Sequence, residues 1–372
     1  MTLCITSNPA RSWKAGVATS VPSAKHIEYL VFGLVLLYAL GTAGTAAALK
    51  KNLDAPEQFG FLHNQVTPFF IRSLGSKSLY TWLIIPIALY YKHELDLRNE
   101  RSGLVVDVTT RVTFKLLRDN PSSLLGIHFH GAGGNVGSGY RCSNYRVLSA
   151  GLPDNIHVLT FDYRGFGRST GFPSEQGIIL DALAVVSWVM TVAQVPAKRI
   201  LIYGQSLGTA VSVAVAEHSV LQDPPVVFAG HILTASLIDA PTLASAYSIA
   251  GLIPILRPIT MFPTFFRSLQ LCIGDKWSSK NCIRSYIRAC ETGDLHYRIT
   301  FLHAEDDCDI PWRHTSVLFW HAVNATQIKT MTFVELEWEK STAKINMGSG
   351  GSIMEWSTDK HHPGGNTKAW ST

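Results

Sequence analysis

Arg199–Glu217 reads RILIYGQSLGTAVSVAVAE. A short β-branched run, Arg199–Tyr203, meets an abrupt turn at Gly204-Gln205-Ser206-Leu207-Gly208, and a stretch of small and apolar residues follows it. The turn has the G-x-S-x-G pattern of a nucleophile elbow, in which a serine stands on a strained strand-to-helix turn with its hydroxyl clear of the backbone. Glycine is needed on both flanks because side chains there would collide in so tight a turn. Ala210 and Ala214 let the helix lie close to a sheet. The serine would sit at a helix N-terminus, where free N–H groups stabilise developing negative charge. A glycine-bounded turn whose serine merely caps a helix is the bland alternative, so the rest of the chain has to decide.

Outward from the elbow, strands alternate with helices. Leu124–His130 is an apolar strand running into Gly131-Ala132-Gly133-Gly134-Asn135, and His157–Asp162 is another, running into Tyr163-Arg164-Gly165-Phe166-Gly167-Arg168-Ser169. Gly177–Val192 has helical periodicity; Phe228–Ala235, Arg298–His303 and Lys329–Glu335 read as further strands, and Leu104–Thr113 as an edge hairpin. Such alternation predicts an α/β domain over 104–340 with a mostly parallel sheet covered on both faces. These sheets place their chemistry at the carboxyl ends of the strands, where each of the glycine-rich turns falls. A proline- and aromatic-rich stretch, about 241–295, interrupts the alternation and is expected to form a cap over an apolar pocket, with Ile249, Leu252, Phe262 and Phe265 among its lining candidates.

Composition narrows the function classes. The 372 residues are 47% hydrophobic and 16% charged with a net charge of only +5, and no Lys/Arg stripe interleaves with aromatics, so nucleic-acid binding has no support. The six cysteines show no C-x-x-C pair or metal-finger spacing, and no cofactor or metal is expected. Cys272, Cys282 and Cys290 cluster loosely, either as a bridge or as buried free thiols. After a polar tail over 1–26, Tyr29–Leu49 carries no charge and is long enough to cross a bilayer as a transmembrane helix within 27–50. A signal peptide is its rival, disfavoured by the long leader and long apolar run. Residues 51–103 read as a membrane-proximal connector, and the apolar Leu79–Tyr91 within it as a segment lying at the membrane surface or packed on the domain.

A serine nucleophile needs an orienting acid, a base and an oxyanion hole. His303-Ala304-Glu305-Asp306-Asp307-Cys308-Asp309-Ile310-Pro311 follows a late apolar run and offers Asp307 as the acid, a solvated acidic loop being the bland reading. The backbone N–H groups of Leu207 and Ala132 are the candidate oxyanion donors; a phosphate-cradling role for the Gly131–Asn135 turn lacks the lysine of a P-loop. These four landmarks, in this order and spacing, resemble the α/β-hydrolase superfamily across roughly 104–336. The chain is similar within it to the membrane-anchored monoacylglycerol and lysophospholipid (lysophosphatidylserine) lipases, which carry an N-terminal transmembrane helix and a like acid turn. The resemblance implies an α/β-hydrolase fold with a helical cap insertion, Ser206 as nucleophile, Asp307 as acid, Ala132 and Leu207 as oxyanion donors, and His130 and Arg164 as structural loop residues. It further implies an acyl-ester lipid as substrate and a single-pass membrane protein, of the endoplasmic reticulum by analogy.

The base departs from the pattern. It belongs on the loop after the last strand, beyond about Glu335, whereas His314 and His321 precede that point and read as structural histidines. His361 and His362 remain, in a Gly/Ser/Thr-rich tail (341–372) expected to be disordered or aberrant, because Pro363-Gly364-Gly365 and the few residues after it cannot form a closing helix. One back-translation of the last twelve residues, read one base later, yields an amphipathic helix-forming segment, which points to a frame-shifted ending. His361 is therefore the candidate base, and a hydrolase-like protein without a base is the alternative. Asn324-Ala325-Thr326 is a glycosylation sequon, usable if the domain faces a lumen.

Overall fold

A computed structural model describes residues 51–246, 248–249, 253–254, 274–307, 309–326, 330–341, 351–358 and 367–370. The expected transmembrane run, most of the expected cap and both His361 and His362 lie outside the described residues. Among the described residues no helix is long and apolar enough to cross a membrane.

Among the described residues eleven strands form two sheets: β7 (Ser248–Ile249) and β8 (Ile253–Pro254) pair by themselves, and the other nine make the sheet that organises the chain. With β1 (Val66–Ser73), β2 (Lys77–Ile84), β3 (Leu124–Phe129), β4 (Ile156–Phe161), β5 (Ile200–Gln205), β6 (Gly230–Thr234), β9 (Tyr297–Ala304), β10 (Gly351–Thr358) and β11 (Thr367–Trp370), its order is β1-β2-β4-β3-β5-β6-β9-β10-β11. Its parallel centre is β4, β3, β5, β6, β9 and β10. β1, β2 and β11 are antiparallel additions at the two edges. In β3 and β4 every residue after the first is buried, which explains their unbroken apolar runs. β2 shows the period of two directly: Leu79 and Leu83 join one core cluster, while Tyr80, Trp82 and Ile84 join another with Tyr145 and Val158.

Four segments depart from the sequence reading, each for a local reason. The expected connector 51–103 contains β1 and β2, because the alternating faces of Leu79–Ile84 complete the sheet beside β4; the rest of that apolar run turns at Pro86 into α1 (Ile87–Lys92), followed by α2 (Glu94–Asn99). Leu104–Thr113 is no hairpin. Asp107 accepts hydrogen bonds from Thr109 N and Oγ1 at 3.0 and 2.6 Å, caps a short 3-10 turn, and leads into α3 (Val112–Asp119) with Phe114 and Leu117 buried. The described part of the expected strand Lys329–Glu335, residues 330–335, is no strand either, because Thr332 and Glu335 form a reciprocal capping box: Thr332 N donates to Glu335 Oε2 at 2.6 Å and Glu335 N to Thr332 Oγ1 at 3.2 Å. A helix therefore occupies Phe333–Ser341, and the next parallel strand is β10, drawn from the stretch expected to be a disordered or aberrant tail and pairing the edge of β9 from Gly351↔Tyr297 to Thr358↔Ala304.

The helices that position the site are α4 (Arg141–Ala150), α5 (Glu175–Thr191), α6 (Leu207–Val220), α7 (Ala240–Ala246), α8 (Ser279–Thr292) and α9 (Arg313–Ala325). α8 falls inside the expected cap but packs on the body of the domain. Its Ile283, Tyr286, Ile287 and Cys290 share a core cluster with Val213, Ala216 and Val220 of α6 and Leu318 and Phe319 of α9. Cys142, Cys282 and Cys290 are free thiols, and burial pushes Cys290 up to about 12.

Candidate active site

The elbow is strained where the sequence expects strain. Ser206 has φ 53° and ψ −118°, a region that costs a side-chain-bearing residue of order 1–3 kcal/mol and persists only where surroundings over-determine it. The surroundings do so. A Cβ on Gly204 would lie 2.5 Å from Gly208 O, and one on Gly208 would lie 1.9 Å from Phe129 O. Ser206 N donates to Thr234 O on β6 at 2.9 Å, and Ser206 O accepts from Thr209 N at 2.9 Å and Thr209 Oγ1 at 2.6 Å. Leu207 then begins α6, so its N–H lies in the first turn of a fourteen-residue helix.

Beside it runs the glycine-rich turn after β3. A Cβ on Gly131 would come within 3.2 Å of Ser206 Cβ, which sets the turn against the elbow. Gly133 and Gly134 take positive φ of 78° and 66°, and Ala132 between the turn and the core is half-buried. The turn is held from behind by Arg141, which sequence reasoning missed. Its buried guanidinium donates to Gly131 O at 3.0 Å, to Gly133 O at 2.6 Å and to Asn135 O. No local pattern marks it, because all three partners are backbone carbonyls. Asp162 lies in the same basement, accepting from Val136 N at 2.7 Å and standing 3.8 Å from His130 Nε2. Burial pushes the Asp162 carboxyl up to about 7 although Arg141 and the Val136 amide pull it down. Burial, aided by Arg141, holds the His130 imidazole well below its ordinary value, so it is neutral. Arg164 forms a two-pronged pair with Asp181, Nε to Oδ2 at 2.9 Å and Nη2 to Oδ1 at 2.6 Å, fixing the turn after β4 to α5.

Two strands beyond β5, β9 ends in the acid turn. Asp307 Oδ1 accepts from the N–H groups of Asp309 and Ile310, both at 2.9 Å, and Oδ2 lies 3.4 Å from His303 Nε2. Burial pushes its pKa up, but the His303 contact and the two amides more than offset this and hold it below the ordinary carboxylate value. His303 is itself engaged on both nitrogens, with Thr315 Oγ1 at 2.6 Å and Ile310 O at 2.9 Å. Among the described residues it is the one histidine bonded to Asp307. His314 is buried and its Nδ1 faces the amide of Ile238, while His321 is half-buried on α9. His361 lies outside the described residues, three positions beyond the end of β10. The structure thus brings Ser206, Leu207 and the Ala132 turn together at the carboxyl ends of β5 and β3, with Asp307 at the same end of β9.

The sequon is used structurally. Asn324 Nδ2 donates to Met331 O at 3.0 Å and its Oδ1 accepts from Met331 N at 2.8 Å, while Ala325 and Thr326 are buried.

Residues 127–338, more than half the chain, match the model of the Alpha/beta hydrolase family. Protein ABHD12B of Homo sapiens is 30% identical over 204 residues, which cover 55% of this chain and 51% of that protein. Lysophosphatidylserine lipase ABHD12 of Xenopus tropicalis is 30% identical over 278 residues, covering 75% of this chain and 63% of that protein. The chain therefore spans 51% and 63% of the lengths of these two curated relatives. An alpha-beta hydrolase from Vibrio vulnificus shares the fold, with a TM-score of 0.51 at 13% identity over 88% of this chain and 87% of that one.

Proposed function

The chain belongs to the alpha/beta hydrolase family, and from that premise we propose a membrane-anchored serine hydrolase that cleaves acyl esters of lipids such as lysophospholipids or monoacylglycerols. The observation that carries the reading is the strained Ser206 at the start of α6 with glycine required on either side. In this scheme Ser206 Oγ attacks the ester carbonyl and forms an acyl-enzyme, expelling the alcohol. The N–H groups of Leu207 and Ala132 receive the oxyanion, and water then releases the fatty acid. His361 is the base that takes the serine proton and returns it to the leaving alcohol, and Asp307 orients it. Tyr29–Leu49 is the anchor, and the lipid chemistry of the relatives' names supports the substrate class.

A second reading, a hydrolase-like protein without a working base, has one observation in its favour. Asp307 is already satisfied by His303 and two amides. A fluorophosphonate probe separates the two. The first reading expects labelling of the wild type that is lost in Ser206→Ala, with lysophospholipid hydrolysis lost alongside. Folded wild-type protein that takes no label would overturn it in favour of the second. Asp307→Asn should slow labelling by orders of magnitude, since an orienting acid contributes roughly 10⁴-fold elsewhere.

A further inference from the structure

We propose that the tip of the β1–β2 hairpin and the Thr170–Phe172 loop form a rim that rests on an anionic lipid bilayer. The rim lies at the catalytic end of the sheet. β2 runs antiparallel to β4 with Thr81 opposite Phe161, the last residue of β4, so the hairpin tip projects past the carboxyl end of β4. The Thr170–Phe172 loop follows β4 at that same end. In sheet order β2 is three steps from β5, roughly 14 Å at the usual strand spacing, which puts the rim beside the elbow and not across the molecule from it.

Large apolar side chains stand in solvent here. Leu74 at the hairpin tip is 62% exposed, Phe172 87% and Phe70 37%. Cations surround them: Arg72, which donates to Ser78 Oγ at 2.9 Å; Lys77, whose stem lies against Gly171; and Arg168, whose guanidinium sits over the Phe70 and Tyr80 rings. The two loops are stitched together by Ser78 N to Thr170 Oγ1 at 2.9 Å and Thr170 N to Ser78 O at 3.0 Å. Among the described residues two carboxylates reach these loops: Asp54, occupied by Arg168 and by Tyr80 Oη at 2.9 Å, and the buried Asp181, which accepts from Ser73 Oγ at 2.7 Å and is neutralised by its pair with Arg164. Exposed aromatic and aliphatic tips ringed by unbalanced positive charge match the two attractions of an anionic bilayer, apolar insertion and headgroup electrostatics.

The chain outside the described residues points to the same occupant. Uncharged Tyr29–Leu49 ends two residues before Lys51, and Leu53 and Asp54 are fastened to the rim through Trp82 Nε1 at 3.2 Å and Arg168. A span ending at Leu49 would bring the bilayer surface within a few residues of Asp54, which meets Arg168 beside the rim. The inference thus deepens the membrane-anchored reading, and rests on it for the choice of a bilayer over a protein. It gives the catalytic end a direct approach from the lipid phase.

Hydrogen exchange of the full chain tests it, comparing detergent micelles with nanodiscs of phosphatidylcholine with and without phosphatidylglycerol. Exchange over residues 72–78 and 168–173 should slow in nanodiscs, more so with phosphatidylglycerol, and the slowing should be lost in a Leu74→Asp, Phe172→Asp double variant. That variant must keep wild-type exchange in β3–β5, so that loss of fold is not mistaken for loss of contact. Equal exchange in micelles and nanodiscs overturns the rim, as does protection of the exposed Ile87, Tyr91 and Leu95 face instead. Protection in lipid-free micelles that grows with protein concentration assigns the rim to a second copy and also overturns it. Release of the chain from membranes by alkaline carbonate, with the rim still protected by added phosphatidylglycerol vesicles, would fail the anchor and leave the rim standing. Absence of fluorophosphonate labelling bears on the enzyme alone.

Discussion

His157 lies on β4 with its ring fully buried and neither ring nitrogen hydrogen-bonded among the described residues. Burial alone lowers its pKa to about 3. In the unfolded chain the ring titrates near its ordinary 6.5, so the folded state refuses a proton that the unfolded state accepts as the pH falls below 6.5. Stability is therefore whole above that value and drains away between 6.5 and about 3. From pH 8 to pH 5 the loss attributable to this one ring is about 2 kcal/mol. His157→Leu removes the titration while keeping a buried side chain of similar bulk. It also changes packing and removes two unpartnered nitrogens, but those effects are the same at both pH values and cancel in the difference. Urea melts followed by tryptophan fluorescence in detergent, at pH 8 and pH 5, should show the variant gaining about 2 kcal/mol more over wild type at pH 5 than at pH 8. An equal effect at the two pH values would refute the reasoning, since it would mean that the folded ring accepts its proton as readily as the unfolded one. Around it, His128 at about 3 and His231 at about 4, both lowered by burial first, act in the same sense, as does His130. Asp162 opposes them: its folded pKa, raised to about 7 by burial, adds about 3 kcal/mol of stability on acidification to pH 5. His157, His128 and His231 at about 2 kcal/mol each outweigh one such carboxyl, so the protein should lose stability in acid on balance.

Two other outcomes are expected. Arg141→Met removes a donor from three buried carbonyls, of which Gly131 O keeps His130 Nδ1 and Asn135 O keeps Ser138 N, and leaves Asp162 without its cation; it should cost about 3–5 kcal/mol in thermal or urea melts. Arg141→Lys should recover only part, because one ammonium cannot span the three acceptors, and the fluorophosphonate labelling rate of the folded fraction should follow the same order. Asn324→Ala removes both hydrogen bonds to Met331 and should destabilise by about 1–3 kcal/mol, while endoglycosidase should shift no band at this site whichever side of a membrane the domain faces.

What was legible in the sequence was local. β3, β4 and β5 are short apolar runs closed by glycine-rich turns, and the elbow is marked by its own five-residue pattern, although only Gly204 is demanded by the turn itself and Gly208 by Phe129 O on β3. What escaped depended on partners distant in sequence. The apolar run from Leu79 becomes a strand only because β4 offers an edge some eighty residues later. The helix at Phe333 was announced by Thr332 and Glu335, a signal present in the sequence and overridden by the β-branched look of its first residues. Arg141 could not be found by pattern at all, since its role is defined by where three carbonyls point.

The acid turn has a consequence for how the chain can vary. Among the described residues the hydrogen bonds that fix Asp307 come from within His303–Ile310, and His303 is steadied in turn by Thr315, while the strand that leads into the turn is flanked by β10, with His303 opposite Ser357. On the proposed reading, the nucleophile, the oxyanion turn and the acid are each held by bonds made before the end of α9, whereas the chain after it closes the sheet edge through β10 and carries the base. Substitutions confined to residues 359–366 would leave those bonds untouched, so on that reading their effect would fall on the base.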